Sequence, residues 1–220
     1  MFEEINNKYN YFFHEDTHCN KYFSPSEIIN LFNFNFIPEN FIKRAEKDPT
    51  GIIYTLFGVW FFLVEKDYKA SYYYYFKGIK LNCILAYWDV IHISEFNENF
   101  YLPLEKKLEY AKIIYFSRQN FKGKYYLLFS VLYIKHCNTL TLDKIEKLSK
   151  IIDAGIKNGD ILCLKDKIEM LVSNMRIEEA KKYLDDFSNN FSDQEKLLEL
   201  KAKISESEKL SEKFNSLIAY

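Results

Sequence analysis

A short pattern centred on glycine occurs twice in this chain, and its spacing restricts the fold more than any other feature. Gly78-Ile79-Lys80 is followed by Ile84-Leu85 and Asp89; seventy-seven residues on, Gly155-Ile156-Lys157 is followed by Ile161-Leu162 and Asp166. A fainter copy lies 33 residues before the first, with Ala45 at the Gly78 position and Tyr54 at the Tyr87 position. Periods of about 33 to 39 residues are the length of one helix–turn–helix unit, and self-similarity at that period marks a stacked helical array. The turn inventory agrees. Across 220 residues there are only 6 Gly and 4 Pro, too few for the many turns of an all-β chain, so helices joined by short connections are expected.

Helix starts can be read from local chemistry. Ser24-Pro25-Ser26-Glu27 and Ser192-Asp193-Gln194-Glu195 have the form of capping boxes, in which a hydroxyl and a carboxylate satisfy the first backbone amides of a helix. Asp48-Pro49 places an N-cap before a proline suited to the first helical position, and Thr141 and Asp160 are expected to cap the segments that follow them. These marks, with apolar residues at helical spacing, predict helices near 2–12, 25–34, 38–47, 49–65, 67–81, 83–95, 103–119, 122–137, 142–158, 160–174, 176–189 and 193–216. Residues 52–64 are apolar nearly all round and should be buried centrally. In 142–158, Leu142, Ile145, Leu148, Ile151, Ile152 and Ile156 should line one side. The last helix carries only a narrow stripe of Leu197, Leu200, Ile204, Leu210, Leu217 and Ile218, as a terminal capping element requires. The expected fold is therefore all-α. Irregular N-terminal helices occupy 1–37, an α-α superhelix of helical hairpins occupies 38–191, and a polar capping helix occupies 192–220, all in one continuous domain.

Asp67-Tyr68-Lys69-Ala70, then Tyr73-Tyr74, Gly78 and Ala86, resembles the second-helix and turn pattern of tetratricopeptide repeats, closest to the Sel-like subclass. Ile177-Glu178-Glu179-Ala180-Lys181-Lys182-Tyr183-Leu184 resembles the same helix of another unit, and Leu56-Phe57-Gly58 with Trp60 or Phe61 resembles the first helix. The resemblance covers about residues 38–190 and is closest over 49–90. It implies small residues (Gly58, Ala70, Ala180) at close helix contacts and large rings (Trp60, Tyr73, Tyr183) filling the holes opposite. It also implies a non-enzymatic adaptor or scaffold, without a cofactor, that holds a peptide or partner protein on a concave face. That face would be lined by the first helices, 49–65, 83–95, 122–137 and 160–174. Candidate contact residues on it are Tyr54, Tyr87, Asp89, His92, Tyr126, Tyr133, Lys165 and Glu169. Tyrosine suits such a surface because it offers a large ring and a polar tip at small entropic cost.

Other chemistries are weighed against this reading. The net charge is −1 and the pI is near 6.5, which argues against a dedicated nucleic-acid binder. Between residues 104 and 126, however, Lys106, Lys107, Lys112, Arg118, Lys122 and Lys124 outnumber Glu105 and Glu109. The stretch reads as a solvated helix face, with weak nucleic-acid binding as the alternative. His14-Glu15-Asp16-Thr17-His18-Cys19 contains the letters H-E-x-x-H, so a zinc hydrolase using His14, Glu15 and His18 is a second alternative. That motif needs a rigid helix and a third ligand, and the Asp-Thr pair within it is a poor helix former, so an exposed polar segment is expected. Asp89 and His92, three apart on one helix, suggest a hydrogen-bonded pair rather than part of a catalytic triad. The glycines form no phosphate loop. Cys19, Cys83, Cys137 and Cys163 show no CxxC pairing and are expected as free thiols. The start, Met1-Phe2-Glu3-Glu4, lacks the basic region of a secretory signal. The mainly apolar run 51–64 is shorter than the roughly 20 residues a bilayer span needs. A cytoplasmic protein away from membranes is expected, and the aromatic content leaves room for a homodimer.

Overall fold

The computed structural model describes residues 25–218 except 35, 99, 118–122 and 138. The helix expected near 2–12, the Ser24 cap and the cluster His14, Glu15, His18 and Cys19 lie outside the described residues. Every regular element described is helical, as expected of an all-α chain, and no strand occurs among the described residues. The chain divides into two compact units, residues 1–114 and 115–220.

The first unit contains α1 (Pro25–Leu31), α2 (Glu39–Ala45), α3 (Ile52–Trp60), α4 (Tyr68–Lys80), α5 (Ile84–Phe96) and α6 (Leu104–Phe116), whose last two residues belong to the second unit. Eight of the nine residues of α3 are buried, as its unbroken apolar sequence requires. The Trp60 indole N–H donates to the Leu31 carbonyl at 3.0 Å, so a large buried ring is satisfied at its one polar atom while it ties α3 to the end of α1. Beyond Trp60 the chain widens into one π-helical turn, Phe61–Glu65, closed by Lys66 in the left-handed conformation at φ 56°. Helix α4 packs closely on α3. A Cβ at Gly58 would lie 2.7 Å from the Tyr75 ring, and the Ser71 hydroxyl donates to the Gly58 carbonyl at 2.7 Å. Gly58 thus does what a small contact residue should. On α4 the buried small residue is Ser71, whereas Ala70 is only half-buried.

The second unit contains α7 (Lys124–His136), α8 (Leu142–Lys157), α9 (Ile161–Ser173), α10 (Ile177–Phe187), a 3-10 turn (Ser188–Asn190) and α11 (Gln194–Ile218). Its core joins Ile152, Ile156, Cys163, Leu164, Ile168, Leu171, Ala180 and Leu184 to Leu197, Leu200 and Ile204 of α11. Two parts of the expected stripes lie outside it. Leu142 is 86% exposed and Ile145 is also exposed, as is Leu210 on α11.

The recurrent sequence pattern is a turn. At the end of α4, Asn82 is left-handed at φ 57°; its amide donates to Ile79 O and the Cys83 amide reaches back to Gly78 O. After α8, Gly159 takes φ 78°, with Gly159 bonded to Ile156 O and Asp160 to Gly155 O. After α9 the same bonds run from Met175, at φ 58°, to Val172 O and from Arg176 to Leu171 O. Each is a Schellman C-cap, and in each the residue after it already caps the next helix. Gly78 and Gly155 occupy the same place in the first two turns. A Cβ there would meet Thr55 and Ala86 in one case, and Cys163 and Tyr125 in the other.

The N-terminal caps depart from the expected ones in an instructive way. Helix α3 begins at Ile52, three residues later than the Asp48-Pro49 pair suggests, with left-handed Gly51 as its N-cap. Glycine offers no side-chain acceptor, and Asp48 fills that role from outside, accepting from the Ile53 amide at 2.9 Å and from Thr50 at 2.8 Å. Helix α7 repeats the device. Its N-cap is left-handed Gly123, and Asp160 accepts from the Tyr126 amide at 3.2 Å while also capping α9 through the Leu162 amide at 3.2 Å. Thr141 makes no side-chain cap. At α11 the acceptor is Asp193, bonded to the Lys196 amide at 3.1 Å, so the cap falls one residue later than the Ser192 box implies.

Candidate functional site

The eight candidate contact residues divide four and four between the two units. Tyr54 is half-buried on α3 and stacks on Tyr74. Tyr87 and Asp89, expected to be exposed, are buried at 6% and 4% exposure. Tyr87 packs edge-on against Tyr110, and its hydroxyl reaches the Asn82 side chain at 3.3 Å, bracing the turn after α4. His92 lies flat against Trp88 at 6.5 Å. In the second unit Tyr126 is half-buried and Tyr133 is 50% exposed beside Phe129. Lys165 is exposed, and Glu169 accepts from Lys203 of α11 at 2.7 Å. Of these residues, Tyr54 leads to the richest chemistry.

Tyr54 opens an aromatic ladder that the sequence reading did not assemble. Tyr74 of α4 lies between Tyr54 (6.4 Å, 23° between planes) and Phe61 (5.2 Å, 8°), with Phe57 edge-on at 5.5 Å. Phe61 is the first residue of the π-helical turn. Tyr73 stands edge-on to Tyr74 at 5.2 Å and is 56% exposed. Over these rings lies the Lys77 ammonium, 4.8 Å from the centre of Tyr73, 4.9 Å from Tyr54 and 5.7 Å from Tyr74. Each ring face carries negative quadrupole density, so three rings around one ammonium hold it by cation–π attraction. The Tyr73 hydroxyl beside it raises the Lys77 ammonium from its ordinary value; partial burial opposes this and the neighbouring rings add to it. Burial raises the Tyr74 phenol and the Lys77 charge opposes that rise. The arrangement is a fixed cation on an aromatic platform.

Several titratable groups of the second unit tie its helices together. Asp153 of α8 accepts from the Tyr183 hydroxyl at 2.6 Å and from Lys167 at 3.2 Å. Lys167 lies 5.2 Å over the Tyr183 ring, so this network pins α8, α9 and α10 together. Burial first, and Asp153 second, push the Tyr183 phenol upward, which keeps it a donor and not a base. Burial likewise raises the Cys163 thiol, away from the thiolate form that reacts. A cleft of about 710 Å³ is lined in part by Gly123, Asp160 and Asp193 at the starts of α7, α9 and α11. Helix starts attract anions, but the carboxylates of Asp160 and Asp193 already accept from the amides there.

The basic stretch 104–126 is partly neutralised. Lys106 pairs with Glu109 at 2.7 Å and Lys107 with Glu95 at 2.6 Å, while Arg118 and Lys122 lie outside the described residues. Among the described residues no group of three His, Cys, Asp or Glu side chains is placed to hold a metal ion, and no helix is long and apolar enough to cross a membrane. Comparison with protein-family models, with curated proteins and with solved structures returns no match to this chain.

Proposed function

We propose that this chain is a non-enzymatic interaction module, a tetratricopeptide-like set of helical hairpins that holds a peptide or partner protein on the tyrosine surface of α3 and α4. The observation that carries the reading is the Tyr54–Tyr73–Tyr74 platform with Lys77 across it. Rigid aromatic rings with polar tips, tyrosine among them, are enriched among the residues that carry binding energy. The stacking among Tyr54, Tyr74 and Phe61 holds them in place before any ligand arrives, which reduces the ordering cost of binding. The repeated turns support the array by setting successive helices at short, similar connections. A reducing, cytoplasmic setting suits the free thiols Cys83, Cys137 and Cys163.

The test is selection from a random peptide library on the purified chain, followed by affinity measurement with resynthesised peptides. Peptides that bind the wild type should lose about tenfold or more in affinity on Tyr73→Ala, as a truncated hot-spot ring does, with an unchanged helical circular dichroism spectrum. Failure to select any peptide, or selected peptides indifferent to both Tyr73→Ala and Tyr54→Ala, would overturn the proposal.

A further inference from the structure

We infer that the α3–α4 surface recognises an acidic segment of a partner protein, an Asp or Glu carboxylate beside a large apolar side chain, with Lys77 as the anchoring cation. The inference rests on the interaction reading above and specifies its ligand.

Charge distribution is the first argument. Helix α4 carries Lys69, Lys77 and Lys80 and not one Asp or Glu, in a chain whose net charge is only −1. Residues 69, 73, 77 and 80 recur at helical spacing, so the three lysines and Tyr73 share one face. Several lysines on other helices are matched by carboxylates one turn away, as in Lys43–Glu39, Lys147–Asp143 and Lys150–Glu146. Among the described residues, Lys69, Lys77 and Lys80 take part in no ion pair. With three lysines on one face and no acid anywhere on the helix, the face is a basic stripe, and its complement is acidic.

Occupancy of the platform is the second argument. Three rings around a cation resemble a receptor for ammonium groups, but the receptor is already filled by Lys77. A basic ligand would have to displace it, whereas a carboxylate meets a positive charge already positioned. The exposed side of Tyr73 leaves ring surface for an adjacent apolar residue. A phosphate is favoured by arginine forks or clustered amides; among the described residues the cation over these rings is a lysine and no arginine, and the α4 N-terminus is capped by Asp67. Single-stranded nucleic acid needs several exposed rings on which successive bases stack, and in this group Tyr54 and Tyr74 are engaged with each other.

The peptide selection decides it. Sequences selected on the full chain should be enriched in Asp and Glu next to Phe, Leu or Trp. Replacing the acid of a selected peptide by its amide should weaken binding about tenfold, the size of one well-placed charge pair. Lys77→Met keeps an apolar stem on the rings and should abolish the acid-over-amide preference, while Lys112→Met on the exposed face of α6 should leave it intact. Three results would overturn the inference: Tyr73-dependent peptides without acid enrichment, a preference that survives Lys77→Met, or binding of an oligothymidylate probe that depends on Tyr73 and Lys77. The first of these leaves the interaction reading standing, whereas an empty selection removes both.

Discussion

Gly155→Ala tests the closest helix approach in the second unit. A Cβ at this position would lie 2.5 Å from the Cys163 sulfur, 3.0 Å from the Tyr125 Cβ and 3.1 Å from the Cys163 Cβ. Cys163 is fully buried, so its sulfur has no solvent to retreat into. Overpacking of this kind costs about 1–3 kcal/mol, and alanine in place of glycine within a helix returns about 1 kcal/mol. The expected net loss is therefore up to about 2 kcal/mol. Cys163→Ala alone should cost about 1 kcal/mol, the loss of one small buried group. Combined with Gly155→Ala it removes the 2.5 Å contact and leaves only the two near 3 Å. The double variant should then be more stable than the sum of the single losses by about 1 kcal/mol or more, a coupling expected only for residues in contact. Amide exchange within α8 and α9 gives the local opening free energies without assuming one global transition. The equivalent change in the first unit, Gly78→Ala, can be relieved only in part. Its Cβ would lie 2.6 Å from the Thr55 hydroxyl oxygen, 2.9 Å from the Cβ of Ala86, already small, and 3.2 Å from the Gly51 carbonyl, so a net loss of about 2 kcal/mol is expected, the upper end of overpacking less the helix gain. Additivity of the Gly155 and Cys163 effects within about 0.4 kcal/mol, or stabilisation by Gly155→Ala alone, would refute the reasoning.

Two further outcomes follow from buried carboxylates. Asp160→Ala deprives the first turns of both α7 and α9 of an acceptor and should cost about 2 kcal/mol, two caps' worth, with faster amide exchange at the starts of both helices; loss confined to α9 would contradict the shared cap. Asp166 is raised to about 6, by burial first and by Glu169 second. Its folded form therefore binds a proton more tightly than the unfolded chain, so the stability it contributes is full below about pH 4 and is lost as pH rises through 6. Asp166→Asn should raise the melting temperature at pH 7 and flatten the wild type's relative decline between pH 4 and 6; parallel melting curves of the two proteins across that window would contradict it.

Helix positions were legible because their signals are local. Gly78 and Gly155 mark the same three-part arrangement, a helix end, a left-handed residue and an immediate restart, and such geometry is written within a few consecutive residues. Facing was less legible. Helix α5 mixes apolar and polar residues without a distinct apolar face, so nothing in its sequence shows that Tyr87 and Asp89 turn inward. Asp160 reads as the cap of its own helix; that it also serves α7, across 34 positions of sequence, is a tertiary fact. The candidate site shows why counting charges in a window misleads. Residues 104–126 hold more lysine and arginine than α4, yet Lys107 of that stretch is matched by Glu95, outside the window. Helix α4 holds only three lysines, but at spacings of 4, 4 and 3 around Tyr73 with no acid between them. The feature from which an acidic partner is inferred was thus present in the sequence as lysines sharing one face without an acid, a quantity that net charge averages away and that helical spacing recovers.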